Sequence, residues 1–291
     1  DRNTEQTMFI LEQIQNEIMN SNLNIEFRNI NDLANNISTT KIIRNFERLS
    51  TFGNPLKINS INTIFSKDIS KIFDSMTNLQ QLISKYSFSS KDRFLTYVKI
   101  DTQSDPKSIT SPSTEKQKDL ALLLVKELHD LGIFNAHTNE YGYVYAHLES
   151  NVSEEIPAIC FCAHMDTSPD CSGLGVKPII HENYIGKDLI LPDDPTVIIR
   201  LNEHPDLQEQ LGNDIITASG NTLLGADNKA GIAEIMDAVA FWQQFPSVQH
   251  GPISIVFTPD EEVGRGTDHI DIQKINAVYG YTLDGEKRGH L

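Results

Sequence analysis

The sequence predicts an α/β layered domain preceded by a small, mostly helical extension, and three observations carry that prediction. From Ser89 onward, helix-like and strand-like stretches alternate, the pattern expected when helices are layered on a sheet. The charge changes at the same place. Of a net −16 over 291 residues, residues 1–88 contribute nothing, since they hold nine acidic and nine basic side chains. They also hold fourteen asparagines but a single glycine, Gly53, and a single proline, Pro55. The expected organisation is an extension over 1–88 and a larger domain over 89–291.

In the extension, Met8, Leu11, Gln15 and Ile18 suggest one helix face, and Met76, Leu79, Leu82 and Ile83 another, at three-to-four spacing. The segment carries no repeat and no chemical motif. Beyond it, "SKDRFLTYVKI" (90–100) reads as a helix and "DTQSDPKSITSPS" as a polar loop. Ser111 before Pro112 signals a helix start, and "TEKQKDLALLLVKELHDLG" keeps a broad apolar stripe up to a stop at Gly132. Strands are expected at 142–148 ("GYVYAHL") and 157–163 ("PAICFCA"). A Gly-, Pro- and Asp-rich region then runs to about 220, with short strand-like pieces such as "TVIIRL". A second helix is expected at 229–245, followed by the strands "ISIVF" and "AVYGYTLDG".

Composition narrows the function classes. A content of 39% hydrophobic and 22% charged residues suits a soluble globular chain. No run of eighteen apolar residues marks a membrane span, and the first thirty residues lack a signal-peptide pattern, so a cytoplasmic location is expected. The excess negative charge argues against nucleic acid and anionic membranes as partners, and it suits a chain that collects divalent metal or cationic amines. Strand alternation puts Cys160 and Cys162 on one face, where they are not expected to bond each other, and with Cys171 the odd count argues against a disulfide framework. No Gly-x-Ser-x-Gly elbow and no Walker phosphate loop is present.

The stretch "FTPDEEVGRG" poses a chemical question, because Asp260, Glu261 and Glu262 end an apolar strand. Crowded carboxylates repel one another unless a cation sits among them, although an acidic triplet also suits a solvated loop. Other strand ends supply company. "HMDTSPD" places His164 and Asp166 on the same side of a strand end, with Asp170 after them, and a histidine held by a carboxylate suits a metal ligand or a general base. "GNTLLGADNKAGIAEI" puts Asp227 at the lip of the second helix, as a ligand or as a cap; Asn228 is the alternative cap, with Lys229 solvated or paired. "YTLDGE" ends a further strand with Asp284. Sites in open α/β sheets gather at the carboxyl ends of strands, so these residues can share one cleft. One or two divalent cations would neutralise them, and mixed nitrogen and oxygen donors suit zinc, manganese or cobalt. The other eight histidines read as surface or structural.

The four motifs, in this order and from about Ser89 to the end, resemble the M20 family of dinuclear zinc metallopeptidases, in its tripeptide aminopeptidase branch. The resemblance implies a zinc-peptidase-like catalytic domain with a mixed sheet flanked by helices. It implies that His164 and Asp284 bind one Zn2+, Glu262 the other, and that Asp227 bridges them. Glu261 becomes the general base, Asp166 orients His164, and Asp260 takes neither role and reads as a loop residue. The implied activity is release of the N-terminal residue of tripeptides, with an N-acyl amino acid deacylase or a non-catalytic degenerate module as alternatives. Small peptides would be the partners, without nucleic acid or membrane. Members of the family continue through a lid and dimerisation domain to a last histidine ligand, whereas this sequence stops at Leu291. The expectation is therefore a truncated copy, weakly active or inactive, that binds at most one metal well.

Overall fold

The computed structural model describes residues 78–285. The helix face expected at Met8, Leu11, Gln15 and Ile18, and Met76 of the second face, lie outside the described residues. The chain divides into two compact units, Asp1–Ser87 and Phe88–Leu291. In the first unit, residues 78–85 are helical and bury Leu79 and Ile83.

The second unit is built on a five-stranded mixed sheet. Its strands are β1 (His137–Thr138), β2 (Val144–Leu148), β3 (Ile159–His164), β8 (Ile253–Thr258) and β9 (Tyr279–Thr282), in the order β1-β2-β8-β3-β9. β2 runs antiparallel to β1 and β8, whereas β3 runs parallel to β8 and β9. β8 is buried along its whole length, which explains why "ISIVF" is unbroken by polar side chains except Ser254. Register sorts the two faces. Ala146, Ile255 and Phe161 are cross-strand partners on one, while Tyr145, Val256 and Cys162 are partners on the other. There Tyr143, Tyr145, Cys160 and Val256 form a cluster covered by Ile270, Ile275 and Ala277. The same-face reading of Cys160 and Cys162 holds, and all three cysteines are free.

Helices α1 (Ser90–Tyr97), α2 (Gln117–Asp130) and α3 (Ala226–Gln244) flank this sheet. α2 packs on β1 and β2, α3 on β3, and α1 on α3. α2 buries Leu120, Ala121, Leu124 and Leu128 at helical spacing and ends at Gly132, whose φ of +90° lies in the left-handed region open to glycine. It starts later than the Ser111 signal suggests. Ser113 and Thr114 spend their hydroxyls on the tertiary partners Asp260 and Gln103 rather than on capping the helix. Asp237 of α3 accepts from the amide and hydroxyl of Ser89 at 2.9 and 2.7 Å, which pins the start of α1.

Between β3 and α3, two small antiparallel pairs form, β4 (Ile179–His181) with β7 (Ile215–Thr217) and β5 (Leu189–Ile190) with β6 (Ile198–Ile199). Only β6 was foreshadowed, by "TVIIRL". A short helix α4 (Ile272–Ile275), capped by the Asp271 side chain on the amides of Gln273 and Lys274, leads into β9.

Candidate metal centre

Three parallel strands deliver their carboxyl ends to one place. β3 ends at His164, β8 leads through Pro259 and Asp260 to Glu261 and Glu262, and β9 leads through Leu283 to Asp284. Asp227 arrives from the head of α3, where it and Asn228 depart from helical geometry. Gly225 makes the entry turn at φ +80°, and a Cβ there would stand 3.1 Å from the Thr167 methyl.

His164 is the hub. It is 2% exposed. Its Nε2 lies 2.8 Å from Asp227 Oδ1 and 3.8 Å from both Glu261 Oε2 and Asp284 Oδ2. Its Nδ1 lies 3.0 Å from the Asp166 main-chain carbonyl and 3.4 Å from the Asp166 carboxylate. That carboxylate is fully buried and accepts the amides of Glu261 at 2.9 Å and Glu262 at 3.1 Å. Donor atoms of His164, Asp227 and Glu262 all lie within 4.8 Å of one another, a group that could hold a metal ion.

The electrostatics suit a cation. Burial pulls the His164 ring down, yet its bonds to Asp166 and Asp227 and the charges of Asp166 and Asp284 outweigh burial and hold it at about 9. Burial pushes the Glu262 carboxyl up, and the negative charge of Asp227 adds to the push. Asp284 is raised by burial and then by Asp227. A carboxylate set under this mutual strain, facing one imidazole nitrogen, is a donor set that fits zinc or a similar divalent ion.

Two residues beside the centre depart from their sequence reading. Asp260 lies in a loop, as expected, but it is 1% exposed and its carboxylate accepts from Ser113 and Gln117. Lys229, read as solvated or paired, is 2% exposed and donates to the Ile100 carbonyl at 2.7 Å; burial pulls it down to about 8 against the pull of Asp101. Neither departure has a local signal in the sequence, because both partners are distant along the chain. Asp170 is exposed. Of the other histidines, His129, His147, His181 and His250 bond Ala136, Ser254, Thr217 and Gly251, and none joins the His164 group among the described residues.

Comparison with known proteins bears on what this centre does. No protein-family model matches the chain. Over 200 residues, 69% of the chain, it is 48% identical to a peptidase T of Clostridium botulinum strain Langeland, covering 49% of that relative. Over those residues the chain is a peptidase T homologue. A peptidase T of Alkaliphilus oremlandii is 52% identical over 201 residues, 68% of the chain and 49% of the relative. The chain spans about half the length of the peptidase T relatives it matches. Among solved structures, the aminopeptidase PepT of Bacillus cereus is 25% identical with a TM-score of 0.48, covering 68% of this chain and 43% of the other.

Proposed function

We propose that residues 89–291 are the metal-binding part of a metal-dependent aminopeptidase that removes the N-terminal residue of tripeptides. The observation that carries this reading is the meeting of His164, Asp227 and Glu262 at the carboxyl ends of parallel strands, in a chain homologous to peptidase T. In this reading His164 and Asp284 would hold one zinc, Glu262 would serve the other, and Asp227 would be shared between them, the second site being the weaker in this chain. When bound, two divalent ions supply Lewis-acid polarisation of a peptide carbonyl and a water acidified toward neutrality.

The chain's own residues supply the rest. Glu261 stands half exposed beside the donors, with its amide fixed by Asp166, so its carboxylate is free to take a proton from water and return it to the departing amine. Asp166 acts twice. It holds the Nδ1 side of His164, which leaves Nε2 as the donor, and it fixes the main chain of both glutamates. Three free cysteines suit a reducing compartment, and we place the work of this chain in the cytoplasm on small peptides. No helix among the described residues is long and apolar enough to cross a membrane.

The test has two arms. Metal analysis after dialysis reports whether the chain retains zinc or cobalt and whether His164→Ala and Asp227→Asn abolish it. An assay of amine release compares a tripeptide with an N-acetyl amino acid. Retained metal with release from the tripeptide supports the reading. Preferential cleavage of the N-acetyl compound replaces it with a deacylase, and a chain that keeps no metal removes it.

A further inference from the structure

Resting on the metal-centre reading, we infer that Asp260 is a positioning residue that, with Ser113 and Gln117, sets where Glu261 and Glu262 stand. Asp260 sits at φ 58°, a left-handed conformation that asparagine and aspartate tolerate better than most side chains. Its burial is costly, since a carboxylate taken out of water must recover its lost solvation from donors. The donors come from Gln117 at the start of α2 and from Ser113 just before it, with the Arg265 guanidinium 3.6 Å from Oδ2 as an ion-pair partner. Ser113 N–H donates to Oδ2 at 2.7 Å, Ser113 Oγ donates to Oδ1, and Gln117 Nε2 donates to Oδ1 at 2.7 Å. Gln117 also returns the contact, because its Oε1 accepts the Asp260 amide at 3.1 Å. Gln117 is itself fully buried and Ser113 is 5% exposed.

The turn is thus locked from two sides. On one side α2 grips both the side chain and the amide of Asp260. On the other, the next two amides, those of Glu261 and Glu262, are held by the Asp166 carboxylate. Gly266 closes the far side, since a Cβ there would stand 3.2 Å from Glu261 Cα, and the Arg265 amide donates to the Asp260 carbonyl at 2.9 Å. Packing alone would be served by an apolar side chain at 260. A buried charge that accepts three bonds from Ser113 and Gln117, with its own amide bonded to Gln117, placed one residue before the two functional carboxylates, instead fixes backbone direction. The acidic triplet of the sequence thereby divides into three tasks: Asp260 aims, Glu261 moves protons and Glu262 binds metal.

The experiment reads metal directly, by titrating the metal-free chain with cobalt(II) and following affinity and visible absorption. Asp260→Asn keeps the turn preference but replaces one carboxylate oxygen by an amide donor, which meets either the Ser113 N–H or the Gln117 donor whichever way it is turned. We expect cobalt affinity to fall by about ten- to a hundredfold, the scale of an outer-shell loss, with an altered spectrum. Asp260→Asn combined with Gln117→Glu exchanges donor for acceptor across the same contact and should recover most of both. Ser113→Ala removes the hydroxyl bond to Asp260 and those the hydroxyl accepts from the Asp105 amide and Gln117 Nε2, but keeps the Ser113 N–H on Oδ2, so it should shift both in the same direction by less. Leu128→Ala in the core of α2 serves as a control that lowers thermal stability while leaving the spectrum unchanged. Wild-type affinity and spectrum in Asp260→Asn, no recovery in the double variant, or a spectrum moved as far by Leu128→Ala would each overturn the inference. A wild-type chain that binds no cobalt overturns the metal reading itself, and the inference falls with it.

Discussion

Glu261 and Glu262 are neighbours with the same side chain, yet their surroundings separate them. Glu262 belongs to the donor group with His164 and Asp227, and burial with nearby Asp227 raises its pKa. Glu261 remains half exposed and 3.8 Å from His164. In a protein of the relatives' full length, Glu261→Gln should therefore keep metal affinity near that of the wild type while turnover of a tripeptide falls about a hundredfold to ten-thousandfold. Metal titration beside a rate assay checks this, and unchanged turnover would take the base role away from Glu261. His164 offers a second measurement. Its folded pKa is raised from 6.5 to about 9, so in the metal-free chain it adds stability that is present below 6.5 and lost as pH rises through 9. Metal must displace the same proton. Apparent affinity should then rise about tenfold per pH unit between 7 and 9, with close to one proton released per metal bound at neutral pH. Calorimetry in buffers of different ionisation enthalpy measures that release, and an affinity flat over this range would remove His164 Nε2 from the ligand set. That His164, Asp227, Glu262 and Asp284 gather in one place was legible in the sequence, because each stands at a strand end or helix lip within a recognisable string. The buried role of Asp260 was not legible, because it depends on Gln117, 143 residues away.

At the scale of elements, α3 and the end of β9 meet at Gly231. A Cβ at that position would run into the Leu283 carbonyl and the Asn228 side-chain oxygen, so glycine is required for close approach rather than for a turn. Gly231→Ala should cost about 1–3 kcal/mol through overpacking. It should also weaken metal binding, because Leu283 precedes Asp284 and Asn228 follows Asp227. A variant of unchanged stability and metal affinity would show that the two elements yield freely. The contrast between elements explains what the sequence could disclose. α2 and α3 repeat buried positions over several turns, and β2, β3 and β8 carry apolar runs of strand length, so periodicity found them. β4, β5 and β7 are two or three residues long, and a strand that short has no period to detect; β6 is as short and shows only through the apolar run of "TVIIRL". The late start of α2 has another cause, since Ser113 and Thr114, which follow the Ser111–Pro112 signal, give their hydroxyls to Asp260 and Gln103 instead of capping the helix.

Across the whole molecule, charge and chemistry fall on the same side of the Ser89 boundary. Residues 1–88 are neutral in sum, while the −16 excess and, among the described residues, every proposed donor of the centre from His164 to Asp284 lie beyond them. We propose that the boundary read at residue 88 separates independent tasks. Ser89 must stay with the second part, because its amide and hydroxyl bond Asp237 of α3, the helix whose head carries Asp227. A chain of residues 89–291 preceded only by a start methionine should then fold and bind cobalt with the affinity of the full chain. The acidic surface adds a condition to the comparison. Exposed negative charge gathers cations in a manner that salt screens, with a Debye length of about 8 Å at physiological ionic strength, so both chains should be titrated at the same salt concentration. Equal affinities, each declining alike as salt is raised, are the expected result. A shortened chain that keeps its circular dichroism and melting transition but loses cobalt would show that residues 1–88 contribute to the centre, and the division of tasks would fail.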